Sequence, residues 1–217
     1  MKQELLDTTR EIVDFTSGKE ANKSDLCKNF GLDESLPLFV FIGRLVPEKG
    51  ADLFPAVLYK SLLKKDCSLF ILGAGKDSIE SELKSLRFHF NKNYASVIGF
   101  DEALAHKLYA AADFLLMPSR VEPCGLNQMY ALRYGAIPIV RKTGGLIDSV
   151  VDIVEDGFGI CHEQATVKDV CDSMLRAKEL YKNKKELKRI IKKCMRIDHS
   201  WDKSAQEYLT LYKSLTP

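Results

Sequence analysis

The sequence predicts a doubly wound α/β domain, in which a parallel sheet of about six strands carries helices on both faces. Short runs that are apolar throughout, such as LFVFIG (38–43) and FLLMP (114–118), are typical of parallel strands buried on both faces. Stretches of helical periodicity separate these runs, and glycine or proline marks many of the boundaries. Because crossovers between parallel strands are right-handed, this alternation predicts an open sheet of Rossmann type with a helical C-terminal tail.

The expected elements follow in regular order along the chain. Strands are expected at 38–43, 68–75, 94–100, 114–118, 137–140 and 157–161. Helices are expected at 23–30, 51–65, 77–90, 101–111, 125–134, 147–151, 167–182 and 185–195, and from Trp201 onward. Gly31 ends the first helix, and the Asp101 side chain can cap the fourth. Residues 1–21 are polar and weakly patterned, so we interpret them as a linker or N-terminal extension and expect one domain over 22–217.

The composition excludes several classes of function. The 217 residues are 46% hydrophobic and 29% charged, and the net charge of +2 leaves no electrostatic footprint for nucleic acid. No run approaches the roughly 18 apolar residues of a membrane span, and the first residues lack the apolar core of a signal peptide. The six cysteines show no CxxC spacing and no histidine at metal-ligand spacing, which predicts reduced thiols, a cytoplasmic protein and no metal site.

The loops after the strands carry the functional predictions, because ligands of such sheets bind beyond the carboxyl ends of the strands. These loops are GRLVPEKG (43–50), GAGKD (73–77), GFDEA (99–103), PSRVEPCGLNQ (118–128) and RKTGGL (141–146). Most of them open into a predicted helix, where backbone N–H groups and the helix dipole favour phosphate. None fits the GxGxxG or P-loop pattern, so nicotinamide-dependent and ATPase functions lack their sequence signature.

Three charged residues of these loops are candidate site residues. Lys49 stands just before a predicted helix start, where the dipole disfavours a cation and a bound anion would relieve the conflict. Arg44 lies in the same loop, and its guanidinium fork fits a diphosphate. Both could instead be solvated, or paired with Glu48 or Glu122. Glu122 lies in a proline-stiffened loop and could accept hydrogen bonds from sugar hydroxyls, or serve as a cap of the following helix.

Four strings of this sequence resemble glycogen and starch synthases of the bacterial and plant type. PSRVEPCGLNQMYALRYGAIPIVRKTGGLIDSVVD is the most specific of them, and FIGRLVPEKGADL, VIGFDEALAHKLYAAADFLLMPS and MRIDHSWDKSAQEYLTLY fit the same family. The similarity runs from about Asn22 to Leu211. The broader class of related glycosyltransferases usually carries a second glutamate at the position of Tyr130, and its absence here is itself typical of glycogen synthases.

The resemblance implies a retaining glycosyltransferase of the GT-B type, in which two Rossmann-like domains face each other across a cleft. This chain would be the C-terminal domain, which holds the donor ADP-glucose, and the reaction would add glucose to the non-reducing end of an α-1,4-glucan. No cofactor or metal is expected, since no DxD-type motif is present. Arg44 and Lys49 would contact the diphosphate, and Glu122 would touch the glucose and stabilise positive charge near its anomeric carbon.

The resemblance also implies further contacts with the nucleotide sugar. Phe100 replaces a tyrosine that the family often carries, so an aromatic ring is kept against the adenine and a phenolic hydrogen bond is lost. The other donor contacts implied by the family pattern are Gly43, Cys124, Gly125, Leu126, Asn127, Thr143 and Gly144.

The expected partners are the nucleotide sugar, the glucan acceptor and the family's N-terminal catalytic domain, which has no counterpart in this sequence. We therefore expect the chain alone to bind nucleotide with little or no transferase activity. The last helix, 201–215, is expected to reach back to that other domain and to expose an apolar face that could promote self-association.

Two alternatives stay open. The first is a related retaining glycosyltransferase that uses a UDP- or GDP-sugar, against which the EPCGLNQ string argues. The second is a non-catalytic nucleotide-binding or interaction module, which would not require Arg44, Lys49 and Glu122 together. A receiver-like signalling domain is excluded, because no acidic cluster follows the first strand.

Overall fold

The computed structural model describes residues 15–215 and contains a sheet of six parallel strands. The strands are β1 (Leu38–Ile42), β2 (Ser68–Gly73), β3 (Tyr94–Ile98), β4 (Phe114–Met117), β5 (Ile137–Arg141) and β6 (Ile160–His162). Their order in the sheet is β3-β2-β1-β4-β5-β6, and every neighbouring pair is parallel. The predicted doubly wound sheet is confirmed. Its order reverses between β1 and β4, which is where open α/β sheets bind their ligands.

Helices cover both faces of this sheet. Within the described residues they are α1 (Phe15–Phe30), α2 (Phe54–Leu62), α3 (Asp77–Leu86), α4 (Glu102–Ala111), α5 (Asn127–Arg133), α6 (Gly145–Ser149), α7 (Val167–Lys182), α8 (Lys184–Met195) and α9 (Trp201–Leu215). None of them is both long and apolar enough to pass through a lipid bilayer. Short 3-10 turns, Pro47–Lys49 and Ala51–Leu53, lead into α2.

The strands are apolar throughout because each face of the sheet has its own core. Alternate side chains of a strand point to opposite faces, so Phe39 is buried in one core and its neighbour Val40 in the other. Helices α1 and α4 contact each other, and Leu26 of α1 and Leu108 of α4 belong to the core that contains Val40. Burial on both faces explains why periodicity along each strand is absent from the sequence.

The predicted elements are confirmed with shifts at their ends. Asp101 caps α4 as expected, since its carboxylate accepts a hydrogen bond from Leu104 N at 2.8 Å. The structure places α6 two residues earlier than predicted, and β6 begins at Ile160 instead of 157. Residues 157–159 lie outside the strand and pack against the chain before them, since Phe158 N and Gly159 N both donate to Val151 O at 3.0 Å and Gly159 forms an isolated bridge with Asp152.

Helix α1 is longer than predicted and already includes residues that the sequence suggested as linker. It starts at Phe15 and not near residue 23, while residues 1–14 of the predicted linker lie outside the described residues. Lysines of α1 explain the difference, because their ammonium groups reach the rest of the fold. Lys19 Nζ donates to Ala110 O at 3.2 Å, and Lys23 Nζ lies 2.7 Å from Asp113 Oδ2. These tertiary contacts stabilise a helix whose own sequence has little amphipathic pattern.

Candidate functional site

A cavity of about 570 Å³ opens at the carboxyl ends of β1, β2 and β3, beside the first residues of α4 and α5. Four residues predicted from the loops line it, namely Gly43, Arg44, Phe100 and Asn127. The cavity therefore lies at the carboxyl edge of the sheet, where the sequence predicts a ligand site. Its position beside the reversal of strand order agrees with ligand binding at that point of the fold.

One wall of the cavity is aromatic. Phe100 stands at its rim with 92% of its surface exposed. Tyr109 and Tyr130 form the wall with ring centroids 5.8 Å apart, and His106 Nδ1 lies 3.1 Å from the Tyr134 hydroxyl behind them. Burial raises the pKa of the Tyr109 hydroxyl well above its ordinary value, so this phenol stays neutral. Tyr130, at the position of the broader class's second glutamate, thus contributes a flat ring and no carboxylate.

Lys49 and Glu122, which come from loops 73 residues apart, meet as an ion pair. The Lys49 Nζ lies 2.5 Å from Glu122 Oε2, and Ser119 Oγ donates to the same oxygen at 3.3 Å. Of the alternatives left open by the sequence, the salt bridge to Glu122 is the one the structure contains. Arg44 differs, because its side chain is exposed and forms no ion pair among residues 15–215.

Backbone contacts hold the loop of Lys49 against the loop of Glu122. Gly50 has a left-handed conformation with φ of 72°, and a Cβ at this position would lie 2.4 Å from Pro118 O. Arg120 N and Val121 N both donate to Glu48 O, at 2.8 and 3.1 Å. The two loops approach so closely that only glycine fits at position 50.

Two arginines hold the Glu122 loop in place through hydrogen bonds. The Arg120 guanidinium donates two hydrogen bonds to the Asp52 carboxylate, at 2.6 and 2.9 Å, and this contact raises the pKa of the arginine above its ordinary value. Arg141, the last residue of β5, donates to Ser119 O and Arg120 O at 2.8 Å each. Neither arginine was predicted from the sequence as a site residue, although a charged residue within each of two candidate loops was a signal that could have indicated them.

The TGG segment (143–145) forms the back of the Glu122 loop. Gly144 has φ of 47°, and a Cβ there would lie 2.0 Å from Glu122 O. Gly145 N donates to Glu122 O at 3.1 Å and to Pro123 O at 3.2 Å. Thr143 is half-buried, and its carbonyl accepts from Leu146 N at 3.1 Å. The structure therefore places Gly144 and Gly145 against the backbone of the Glu122 loop, with Thr143 directly before them in the chain.

A buried amide joins these two loops and was not predicted from the sequence. Gln128 is fully buried, and its Nε2 donates to Cys124 O at 3.3 Å, to Gly125 O at 3.0 Å and to Ser149 Oγ at 3.0 Å. Ser149 Oγ in turn donates to Gly145 O at 2.7 Å. The signal that could have indicated Gln128 and Ser149 is a polar residue on the apolar face of a short helix, α5 for the first and α6 for the second.

The first turn of α5 leaves backbone donors available. Among the described residues, no hydrogen bond uses the N–H groups of Gly125, Leu126 or Asn127. The Asn127 side chain donates to Ile42 O at 2.6 Å and so ties α5 to the end of β1. Cys124 and Leu126 are exposed beside these amides. Unpaired N–H groups at a helix start, next to the exposed Arg44 side chain, can donate hydrogen bonds to a bound anion.

The described residues contain no group of three or more side chains that could hold a metal ion. The site itself offers cations, amide donors and one carboxylate. These are Arg44 and Lys49, the N–H groups of 125–127, and Glu122.

Comparison with known proteins gives a consistent result. The family model of glycosyl transferases group 1 matches residues 22–194. The glycogen synthase of Flavobacterium johnsoniae is 50% identical over 214 residues, which are 98% of this chain and 45% of that protein. The chain thus spans just under half the length of this relative.

Solved structures resemble the chain as well. The catalytic domain of starch synthase IV from Arabidopsis thaliana, bound to ADP and acarbose, superposes with a TM-score of 0.84 at 38% identity over 94% of this chain and 43% of that one. The C-terminal domain of a group 1 family protein from Francisella tularensis reaches a TM-score of 0.63 at 20% identity, over 82% of this chain and 89% of that one. At that identity the second likeness shows the fold alone.

Proposed function

The chain belongs to the group 1 glycosyl transferases, and from that premise we propose that it is the donor-binding domain of a glycogen or starch synthase. The reaction we propose is transfer of glucose, with retention, from ADP-glucose to the non-reducing end of an α-1,4-glucan. The similarity to a glycogen synthase over 98% of this chain and the ADP bound to the Arabidopsis starch synthase support it.

One observation carries the proposal. The exposed Arg44 guanidinium and the start of α5, whose N–H groups have no partner among residues 15–215, lie at an aromatic-walled cavity of about 570 Å³, and the loop that leads into α5 carries the nearly buried Glu122 carboxylate. We propose that Arg44, Lys49 and the amides of 125–127 bind the diphosphate, while Phe100 and the tyrosine wall bind the adenine. Glu122 would accept hydrogen bonds from the glucose, with Cys124, Thr143 and Gly144 beside the sugar and Gly43 below the phosphates.

The mechanism follows from what glucosyl transfer requires. The bond between the anomeric carbon and the diphosphate breaks, so negative charge grows on the phosphate and positive charge on the sugar. Fixed cations and backbone N–H groups stabilise the departing diphosphate without reorganisation, and the Glu122 carboxylate stabilises the positive sugar. We propose that the glucan acceptor binds in the half of the relatives that this chain does not span, and that the rest of the active site also lies there.

The free cysteines support a cytoplasmic location.

Calorimetric titration of the chain with ADP, UDP and GDP tests the proposal. We expect saturable binding of ADP, weaker binding of UDP and GDP, and about tenfold weaker ADP binding in Arg44→Ala, because a charge-assisted contact to phosphate is lost. Arg196→Ala is the matched control, since Arg196 is an exposed arginine at the end of α8, and its ADP affinity should equal that of the wild type. Absence of binding to all three nucleotides would contradict the proposal.

A further inference from the structure

The ammonium group of Lys49 is already neutralised by a carboxylate of the protein. The Nζ–Oε2 distance to Glu122 is 2.5 Å, with 23% of the lysine side chain and 9% of the glutamate side chain exposed. Charges so close and so shielded from water interact more strongly than an exposed pair. Any phosphate that binds Lys49 must therefore share this lysine with Glu122 or displace it.

The backbone on both sides of the pair is held in place. The backbone of Arg120 and Val121 is hydrogen-bonded to Glu48 O, next to Lys49, and Gly145 N holds Glu122 O from the other side at 3.1 Å. Ser119 Oγ adds a hydrogen bond to the same carboxylate oxygen. Because the backbone on both sides is fixed, a ligand changes the pair only by offering Lys49 or Glu122 a better partner.

We propose that Glu122 competes with phosphate for Lys49, and that this competition makes the site prefer the nucleotide sugar over the free nucleoside diphosphate. The inference rests on the proposed function for the identity of the ligand. The free diphosphate ends in a phosphate that carries about one more negative charge near neutral pH than the sugar-linked form. In the free diphosphate, Glu122 repels the extra charge and keeps Lys49 paired with itself. In the nucleotide sugar, the sugar hydroxyls donate hydrogen bonds to the same carboxylate. The carboxylate thus favours the substrate and weakens binding of the product.

The experiment is a calorimetric titration of ADP and ADP-glucose into the wild-type chain and Glu122→Gln, which keeps the shape of the side chain. We expect Glu122→Gln to bind ADP about tenfold more tightly, because Lys49 is released and a like charge removed. ADP-glucose should gain less or lose affinity, since an amide is a weaker acceptor for sugar hydroxyls. Unchanged or weaker ADP binding in Glu122→Gln would overturn the inference.

A double-mutant cycle separates competition for Lys49 from simple charge repulsion. In a Lys49→Met background, the same Glu122→Gln change should raise ADP affinity by much less than in the wild type. An equal gain in both backgrounds would overturn the competition. Asp66→Asn is the matched control, because it removes a carboxylate that pairs with Lys178 at 2.8 Å, just before β2 at the opposite end of the sheet. Its affinities should equal those of the wild type.

Pyrophosphate, titrated by phosphorus NMR, makes the test independent of the nucleotide. Tighter pyrophosphate binding by Glu122→Gln than by the wild type supports competition for Lys49, even if neither protein binds ADP and the proposed function fails. Equal pyrophosphate affinity in the two proteins would overturn the inference, even if ADP binds to both.

Discussion

At the scale of single residues, Gln128 has the most demanding position in the site. It is fully buried, its Oε1 has no hydrogen-bond partner among the described residues, and its Nε2 serves the carbonyls of Cys124 and Gly125. Leaving the buried Oε1 without a partner costs free energy, and an apolar side chain of the same size would avoid that cost. We therefore infer that the amide is kept for the contacts of its Nε2. Because the C=O and N–H of one peptide point in opposite directions, Gln128 holds the N–H groups of Gly125 and Leu126 on the side away from its own amide.

We expect Gln128→Met, which keeps the length of the side chain and removes the donor, to weaken ADP binding by about tenfold. The unfolding free energy should fall by about 1–3 kcal/mol, because two partly buried carbonyls and the buried Ser149 hydroxyl lose a partner. Calorimetry with ADP and urea denaturation measure the two effects. Gln206→Met, on the exposed surface of α9, should change neither quantity. A folded Gln128→Met with wild-type ADP affinity would refute this role.

At the scale of elements, one buried ion pair attaches α1 to the sheet. The side chains of Lys23 and Asp113 are 8% and 11% exposed, and Asp113 Oδ2 also accepts from Leu38 N at 2.8 Å. Burial alone would lower the pKa of the Lys23 amine, but the adjacent Asp113 carboxylate raises it above its ordinary value. The pair thus fixes α1 and the amino ends of β1 and β4 at the same point.

We expect Asp113→Asn to destabilise the chain by about 3 kcal/mol, because a buried ammonium would lose its counter-charge. Thermal and urea unfolding measure the loss. Asp172→Asn is the matched control, since it breaks a pair with Lys168 at 2.6 Å whose side chains are 77% and 53% exposed. That change should cost less than about 1 kcal/mol. Equal stability of the two variants would show that the buried pair does not anchor α1.

At the scale of the whole molecule, α9 exposes an apolar stripe, as the sequence predicts. Trp201, Tyr208 and Leu215 are spaced seven residues apart and have 89%, 60% and 71% of their surfaces exposed. A spacing of seven places them on one face of the helix. No residue of α9 is buried among the described residues, so these apolar side chains remain open to solvent.

We expect the chain to self-associate with rising concentration, because burial of this stripe against another copy removes apolar surface from water. Sedimentation velocity should show the association, and Tyr208→Glu should reduce it while the circular dichroism spectrum is retained. Lys203→Glu, on the same helix, is the control and should leave the association of the chain in place. A wild-type chain that stays monomeric at all concentrations would contradict this prediction.

Much of the fold and part of the site could be predicted from residues alone. The six strands, their parallel pairing and the helix cap at Asp101 are local or periodic features, which a linear pattern records. The roles of Arg44, Lys49 and Glu122 stay predictions, since ligand contact is untested. The length of α1 and the clamp of Gln128 with Ser149 could not be predicted, because both depend on partners distant in sequence.

The sequence by itself determined the parallel sheet, and it predicted the edge and the loops of the candidate site, because the apolar runs and the glycine-containing loops are local features. Only the tertiary structure decided that Lys49 pairs with Glu122 across 73 residues, and that Gly144 and Gln128 hold the central loop from behind. Such pairings depend on distances between loops that the order of residues does not encode locally. The charge balance of the site therefore became visible only when β1, β4 and β5 brought these loops together.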